Sequence, residues 1–300
     1  MQRSLTLALP PVAQRPGAPQ HEQGTPLNPF AANPQRDYKH HSPRCEFKYQ
    51  ITAEQMPAIK AAISPYCNVD PFVGNAGGRY TITSLYLDTV DRRFYWATEN
   101  QVHARMKLRV RTYGMASEGP VFLEIKRRFG DAQSKSRVQV PRDEWQAAVI
   151  PGGDEQFQNW KLDSRKMEIV KDFSAIAGGY ALEPVCCVRY DRDPYVGRLN
   201  PDVRITFDQR IRTCHSHDWA LHPHEVDYLP VDYPYNFGAP EPRLVLEIKF
   251  DMHLPIWLID LVRQFDLKRE SFAKYVSCVN RLQDDHLRYR TDLRGPQWEA

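Results

Sequence analysis

The stretch K-L-R-V-R-T-Y, Lys107 to Tyr113, decides the fold class. Alternate residues of a β-strand share a face. Lys107, Arg109 and Arg111 therefore project on one side, and Leu108 and Val110 on the other. The same alternation recurs on both sides of this stretch. At Arg44 to Tyr49, Arg44, Glu46 and Lys48 oppose Cys45, Phe47 and Tyr49. At Val121 to Lys126, Glu124 and Lys126 follow Phe122 on one face, against Val121, Leu123 and Ile125. Lys135, Arg137 and Gln139 share a parity. Arg204, Thr206 and Asp208 oppose Val203, Ile205 and Phe207, and Arg243, Val245, Glu247 and Lys249 oppose Leu244, Leu246 and Ile248.

Thr81 to Leu87 adds a further strand, rich in β-branched and aromatic residues. Helices are expected from a capping box at Thr52–Gln55 through Ile63, then near Arg142 to Ile150, Arg165 to Ala177, Ile256 to Phe265 and Ser271 to Leu282. Strands outnumber helices with little βαβ alternation, which predicts an antiparallel α+β fold. Two arrangements satisfy the pattern. One is an open sheet with a solvated polar face. The other is a closed barrel with a charged lumen, its apolar outside covered by a few helices. The charged faces carry mostly Arg and Lys, which points to the barrel, with a polyanion stabilising its lumen.

The composition bounds the function. The chain has 300 residues, with 40 Lys and Arg against 37 Asp and Glu, so its net charge of +3 excludes a histone-like polycation. No run of eighteen apolar residues is present, so no spanning helix is expected. Six unevenly spaced cysteines, with Cys186 and Cys187 adjacent, suit a reducing compartment rather than a disulfide framework. Residues 1–42 hold repeated prolines and little apolar periodicity, and read as a disordered tail. Pro10 and Pro11 end the apolar run of that tail too early for a signal peptide. One domain over 43–285 and a short tail over 286–300 follow.

These strands resemble the polyphosphate-polymerase domain of the vacuolar transporter chaperone (VTC) family, within the triphosphate tunnel metalloenzyme (CYTH-like) superfamily. The matching pieces include R-C-E-F-K-Y at Arg44 to Tyr49, S-L-Y-L-D-T at Ser84 to Thr89, K-L-R-V-R-T-Y-G at Lys107 to Gly114 and F-L-E-I-K at Phe122 to Lys126. They continue with S-K-S-R at Ser134 to Arg137, R-Y-D-R at Arg189 to Arg192, R-I-T-F-D at Arg204 to Asp208, L-E-I-K-F at Leu246 to Phe250 and S-F-A-K-Y at Ser271 to Tyr275. The resemblance implies an antiparallel eight-stranded β-tunnel. Within it the γ-phosphate of ATP would pass onto a growing polyphosphate chain with Mn²⁺ or Mg²⁺. It implies catalytic roles for Lys48, Arg109, Arg111, Lys126 and Lys274. It implies phosphate binding by Arg44, Lys135, Arg137, Tyr190, Arg192, Arg204 and Lys249, and metal binding by Glu247. Glu46 and Glu124 are weaker metal candidates, better read as internal ion-pair partners. Ala273 replaces a serine of the family's S-F-S-K-Y segment, so one hydrogen bond of about 1 kcal/mol is missing if that hydroxyl meets phosphate.

The chemistry suits the residue types. Phosphoryl transfer asks for in-line positioning and charge stabilisation rather than covalent help. Arg109 and Arg111, two apart, can fork onto adjacent phosphates. No G-x-x-x-x-G-K-[ST] loop is present, so a nucleotide would be held by strand side chains. A tunnel triphosphatase would carry an E-x-E-x-K strand, whereas Arg44 to Lys48 keeps only the second acidic position. A non-catalytic polyphosphate binder is the other alternative. RNA binding ranks last, because the charged faces lack an aromatic stacking pattern and Phe94, Tyr95 and Trp96 read as packing. Cys214, His215, His217, His222 and His224 match no common zinc spacing and read as a solvated loop. A freestanding cytoplasmic, bacterial domain is expected, with any membrane pore supplied by a separate chain.

Overall fold

The strand pattern of the sequence is realised as a 10-stranded antiparallel sheet. The computed structural model describes residues 45–73, 78–114, 119–130, 132–150, 154–216, 218–232, 243–251 and 253–292. The proline-rich segment 1–42, Arg44 and His217 lie outside the described residues. The strands are β1 (Cys45–Thr52), β2 (Cys67–Val69), β3 (Tyr80–Asp88), β4 (Ala104–Tyr113), β5 (Val121–Phe129), β6 (Ala132–Val140), β7 (Glu183–Gly197), β8 (Arg204–His215), β9 (Leu229–Pro230) and β10 (Arg243–Phe250). The helices are α1 (Gln55–Ile63), α2 (Arg93–Glu99), α3 (Asp154–Phe157), α4 (Ser164–Gly179), α5 (Ile256–Gln264) and α6 (Lys274–Asp292). Eight strands form one hydrogen-bonded path, β1–β10–β8–β7–β3–β4–β5–β6, while β2 joins β7 and β9 joins β8.

The apolar parity of each strand is buried on the outer side, as the alternation requires. Leu108, Val110, Leu123, Ile125 and Val138 pack with Val170 and Phe173 of α4. Ile51, Ile205, Phe207, Leu246 and Ile248 pack with Ile59 and Ile63 of α1 and with Leu258 and Leu261 of α5. Each such fully buried side chain contributes roughly 1.5–3 kcal/mol. The capping box forms as its residues require. The Thr52 amide donates to Gln55 Oε1 at 3.0 Å, and the Gln55 amide to Thr52 Oγ1 at 3.2 Å.

Two expectations are corrected. The sheet curls into a half-barrel but does not close, since among the described residues the path ends at β1 and β6 without a ladder between them. The free edge of β1 is met instead by the chain leading into α6. Tyr49 bridges Arg269, and the Glu270 amide donates to the Lys48 carbonyl at 3.0 Å. The helices also do not all lie outside. Tyr275, Val276, Cys278 and Val279 of α6 pack on Ile82, Tyr86, Val188, Tyr190 and Val245. Those residues share the parity of the charged side chains, so α6 covers one end of the concave face. Asp88 anchors it, accepting from Tyr275 Oη at 2.7 Å and from the Phe94 and Tyr95 amides, both at 2.9 Å, at the start of α2.

The helix expected over Arg142 to Ile150 is a single 3-10 turn, Trp145–Ala148. The central strand β7 was not expected along its length, because both of its faces carry charge. On its outer face Arg189 donates to Thr83 Oγ1 at 3.1 Å, Asp191 accepts from Thr81 Oγ1 at 2.7 Å, and Asp193 accepts from Arg79 Nε at 2.6 Å and from Lys60.

Candidate functional site

Strand pairing sorts the concave face into rows. Arg109 of β4 lies opposite Tyr86 of β3 and Glu124 of β5, and Glu124 lies opposite Arg137 of β6. One row along, Arg111 lies between Ser84 and Phe122. On the other side, Lys107 lies opposite Lys126, and Lys126 opposite Lys135. Across the half-barrel, Lys48 faces Glu247, Glu247 faces Thr206, Glu46 faces Lys249, and Lys249 faces Arg204.

Glu124 is the hub of the first cluster. Its Oε2 takes Arg109 Nη2 at 2.6 Å and Arg111 Nη1 at 3.7 Å, and its Oε1 takes Lys135 Nζ at 2.8 Å and Arg137 Nε at 3.5 Å. Burial alone would raise the Glu124 carboxyl. Arg109, Arg111 and Lys135 override it and hold the group well below the usual carboxylate range. Arg109 also donates to Tyr86 Oη at 2.8 Å, and Arg111 to Ser84 Oγ at 3.0 Å. Both guanidiniums are thus fixed in orientation on their strand.

Asp208 and Glu247 organise the second cluster. Arg192 grips Asp208 at 2.6 and 2.7 Å, and Lys274 Nζ reaches the same carboxylate at 2.6 Å from the first residue of α6. Glu247 meets Lys249 at 3.1 Å, Arg192 at 3.5 Å and Lys48 at 3.7 Å. Lys48 and Lys249 also reach Glu46, at 3.1 and 3.8 Å. Burial would raise Glu247, yet Lys249, Lys48 and Arg192 hold it well below its ordinary value. Tyr190 is buried between the clusters. Burial pushes its phenol up, but Arg111, Arg192 and Lys274 bring it below the ordinary tyrosine value.

The two clusters act on one another. Lys126 of β5 senses Glu46, Lys48 and Glu247 from β1 and β10, and Lys107 senses Lys48. The curl of the sheet brings these distant strands together. Lys48, Arg109, Arg111, Lys126, Tyr190, Arg192, Lys274 and Glu247 therefore share one face and one neighbourhood. Lys135, Arg137 and Lys249 edge it, with side chains 41 %, 37 % and 34 % exposed. Arg204 keeps the parity but sits at the rim, its nearest carboxylate being Asp70 at 3.9 Å.

Asp208, Ser84, Tyr86 and Lys107 are the site residues that sequence reasoning gave no role. Asp208 carried a signal, since it shares a parity with Arg204 and ends the R-I-T-F-D piece. Glu46 and Glu124 have the ion-pair roles expected of them. Cys214 departs from the expected solvated loop. It is buried against the outer core, opposite Cys187 on β7. The cysteines of the described residues are all free thiols.

Among the described residues no three His, Cys, Asp or Glu side chains gather as a metal cage. A hard divalent cation does not need one, since Mg²⁺ is commonly held by one or two carboxylates together with substrate phosphates and water. Glu247, with Glu46 drawn to the same two lysines, offers that donor set.

Comparison with known proteins bears on this arrangement. No curated protein matches the chain. Solved structures with similar coordinates include a candidate adenylate cyclase from Bacillus halodurans, at 12% identity and a TM-score of 0.41, covering 76% of this chain and 92% of that one. Another is a candidate adenylate cyclase from Vibrio parahaemolyticus, at 13% identity and a TM-score of 0.37, covering 78% and 96%. A third is the PH1819 protein of Pyrococcus horikoshii, at 13% identity and a TM-score of 0.38, covering 80% and 99%. Scores at this level carry no argument about function. The family comparison is decisive where they are not: the VTC domain matches residues 43–283, from before β1 into α6, and the chain belongs to that family.

Proposed function

We propose that this VTC-domain chain is a metal-assisted polyphosphate polymerase that moves the γ-phosphate of ATP onto the end of a polyphosphate chain. The observation that carries the reading is the concave face, where Lys48, Lys126 and Arg192 lie about Glu247, and Arg109, Arg111 and Lys274 join them around Glu124 and Asp208. In the reaction a terminal oxygen of the polymer attacks the γ-phosphorus. The bond from that phosphorus to the β–γ bridging oxygen breaks, and ADP leaves. Arg109 and Arg111 are held by Tyr86, Ser84 and Glu124, so their forks are set before phosphate arrives. Arg192 and Lys274 stand ready across the face to take charge that develops on the leaving ADP. Glu247, with Glu46, would hold Mn²⁺ or Mg²⁺. When bound, that ion neutralises phosphate oxygens and aligns the transferred group.

The test is incubation of the purified chain with ATP and Mn²⁺, with polymer and ADP measured separately. Polymer with stoichiometric ADP is the expected result. Phosphate release without polymer would replace this reading with a triphosphatase. Binding without turnover would leave a polyphosphate-binding protein, the alternative that Ala273 keeps open. Among the described residues no helix is long and apolar enough to cross a membrane. If the polymer is exported, we propose that a separate membrane chain carries it from a cytoplasmic enzyme.

A further inference from the structure

Two thiols lie on the outer side of the sheet, away from the concave face, and take no part in the reaction proposed above. Cys187 of β7 and Cys214 of β8 are directly opposite one another in an antiparallel pair. Such a pair holds its Cα atoms roughly 4.5–5.5 Å apart with both side chains on one face, inside the roughly 4.4–6.8 Å that a disulfide spans. Both thiols are buried in the outer core with Leu221 and Tyr228. Cys186 is next to Cys187 in the chain, but strand parity turns it to the concave side, where it packs with Cys278 of α6. Among the described cysteines, only Cys187 and Cys214 face each other across a strand pair.

Residues 218–228 cover the pair. Cys187 Sγ donates to the Ala220 carbonyl at 3.3 Å, and Glu225 accepts from Arg189 Nη1 at 2.6 Å and pairs with Arg212. This cover has no helix or strand besides the 3-10 turn Glu225–Asp227, and Val226 at its crest is exposed. It therefore opens at lower cost than the sheet beneath it, and a small oxidant can reach the thiols without unfolding the strands. The two sulfurs also differ. Contact with the Cys187 thiol, aided by Tyr228 and Arg189, draws Cys214 below the ordinary thiol value against the effect of burial. The same contact, with burial, raises Cys187. Cys214 is thus disposed to act as the thiolate and Cys187 to supply the second sulfur.

We propose that Cys187 and Cys214 are a reversible oxidation site, at which hydrogen peroxide closes a cross-strand disulfide and so releases residues 218–228 from β7. The inference does not depend on the polyphosphate reading. The Cys214 thiolate attacks one peroxide oxygen, the O–O bond breaks and hydroxide leaves, which gives a sulfenic acid. The Cys187 sulfur, giving up its proton, attacks the Cys214 sulfur, and the S–O bond breaks as the second hydroxide leaves. Two thiols and one peroxide become one disulfide and two waters. A disulfide sulfur has no hydrogen to donate, so the Ala220 carbonyl loses its partner and the cover loosens. In a reducing compartment the dithiol is the resting form and the disulfide a transient one.

The test treats the full chain with hydrogen peroxide, alkylates it after unfolding and maps the link by peptide mass. Two of the six thiols should be lost, joined as Cys187 to Cys214, and dithiothreitol should return both. Cys186→Ala and Cys278→Ala should still form the link, and Cys214→Ala should not. Amides of residues 219–228 should exchange with deuterium about fivefold faster in the linked chain, the worth of one hydrogen bond. Cys187→Ala, which lacks the donor, should show the same rise without peroxide. The link mapped in the parent decides the site whether or not a variant folds. A link through Cys186 or Cys278, single thiols oxidised without a link, or six thiols left free would overturn the site. Unchanged exchange in the linked chain would overturn the release of the cover.

Discussion

Arg192 holds Asp208 through two parallel hydrogen bonds of 2.6 and 2.7 Å, and the same carboxylate takes Lys274 at 2.6 Å. One fully buried acid thus ties a central strand to the first residue of α6. Burial would raise Asp208, but Arg192 and Lys274 lower it, so it remains charged. Removing one partner from such a buried set leaves cations uncompensated. Asp208→Asn is expected to destabilise the protein by on the order of 3 kcal/mol. Polyphosphate should restore more stability to the variant than to the parent, since its phosphates replace the lost charge. Thermal melts with and without polyphosphate check both expectations.

Glu247 and Arg109 separate catalysis from binding. Glu247→Gln keeps the shape but removes a negative charge from the face that, on the proposed reading, receives anions. Turnover should fall by about two or more orders of magnitude if the carboxylate holds the cation. Metal-free polyphosphate binding should hold or tighten. Arg109→Ala should lose both, because its fork meets phosphate directly in this reading. Matched losses of binding in the two variants would make Glu247 a structural ion-pair partner of Lys48 and Lys249.

The lysine row gives stability a defined pH dependence. An unfolded lysine titrates near roughly 10.4. In the folded protein burial, reinforced by Lys126 and the other nearby cations, lowers Lys107 to about 7. Above that value the unfolded chain binds a proton that the folded one has released, so stability rises with pH. Below it both states are protonated and the full penalty applies. Stability should rise by on the order of 1–2 kcal/mol from about pH 7 to about pH 9, after allowance for partial solvent screening. Lys135 adds less, being 41 % exposed. Urea titrations across that range, on the parent and Lys107→Met, measure it; the variant should show a shallower rise.

Binding of long polyphosphate should weaken steeply with added salt. Every phosphate contacted by Arg or Lys releases a condensed counterion, as on nucleic acids. A log–log plot of affinity against salt gives the slope, and Arg109→Ala should make it shallower. A flat plot in the parent would remove the basic face as the binding surface.

Much of this was legible in the sequence because strand parity is local. Arg109 and Arg111 on one side, with Leu108 and Val110 on the other, follow from a period of two and need no partner strand. β7 resisted the same reading, since Arg189, Asp191 and Asp193 are satisfied on its outer face by Thr83, Thr81 and Arg79. Its alternation is charge against charge. The Glu124 and Asp208 hubs were hidden for another reason. Which cation meets which carboxylate depends on register between strands far apart in the chain. The seat of α6 was hidden too, because an amphipathic helix reads alike whether it covers the outside of a sheet or its hollow.

Among the described residues no ladder joins β1 to β6, and the chain at Arg269 and Glu270 meets the β1 edge instead, which bears on how a long polymer could reach this face. A hydrogen-bonded ring admits a long filament only by one of its ends, so loading would require a free terminus and would slow as length increased. An open seam imposes no such condition. A filament can be laid in sideways, along its middle, and lifted out the same way. On the polyphosphate reading proposed above, circular polyphosphate, or polymer blocked at both ends by bulky groups, is then expected to bind.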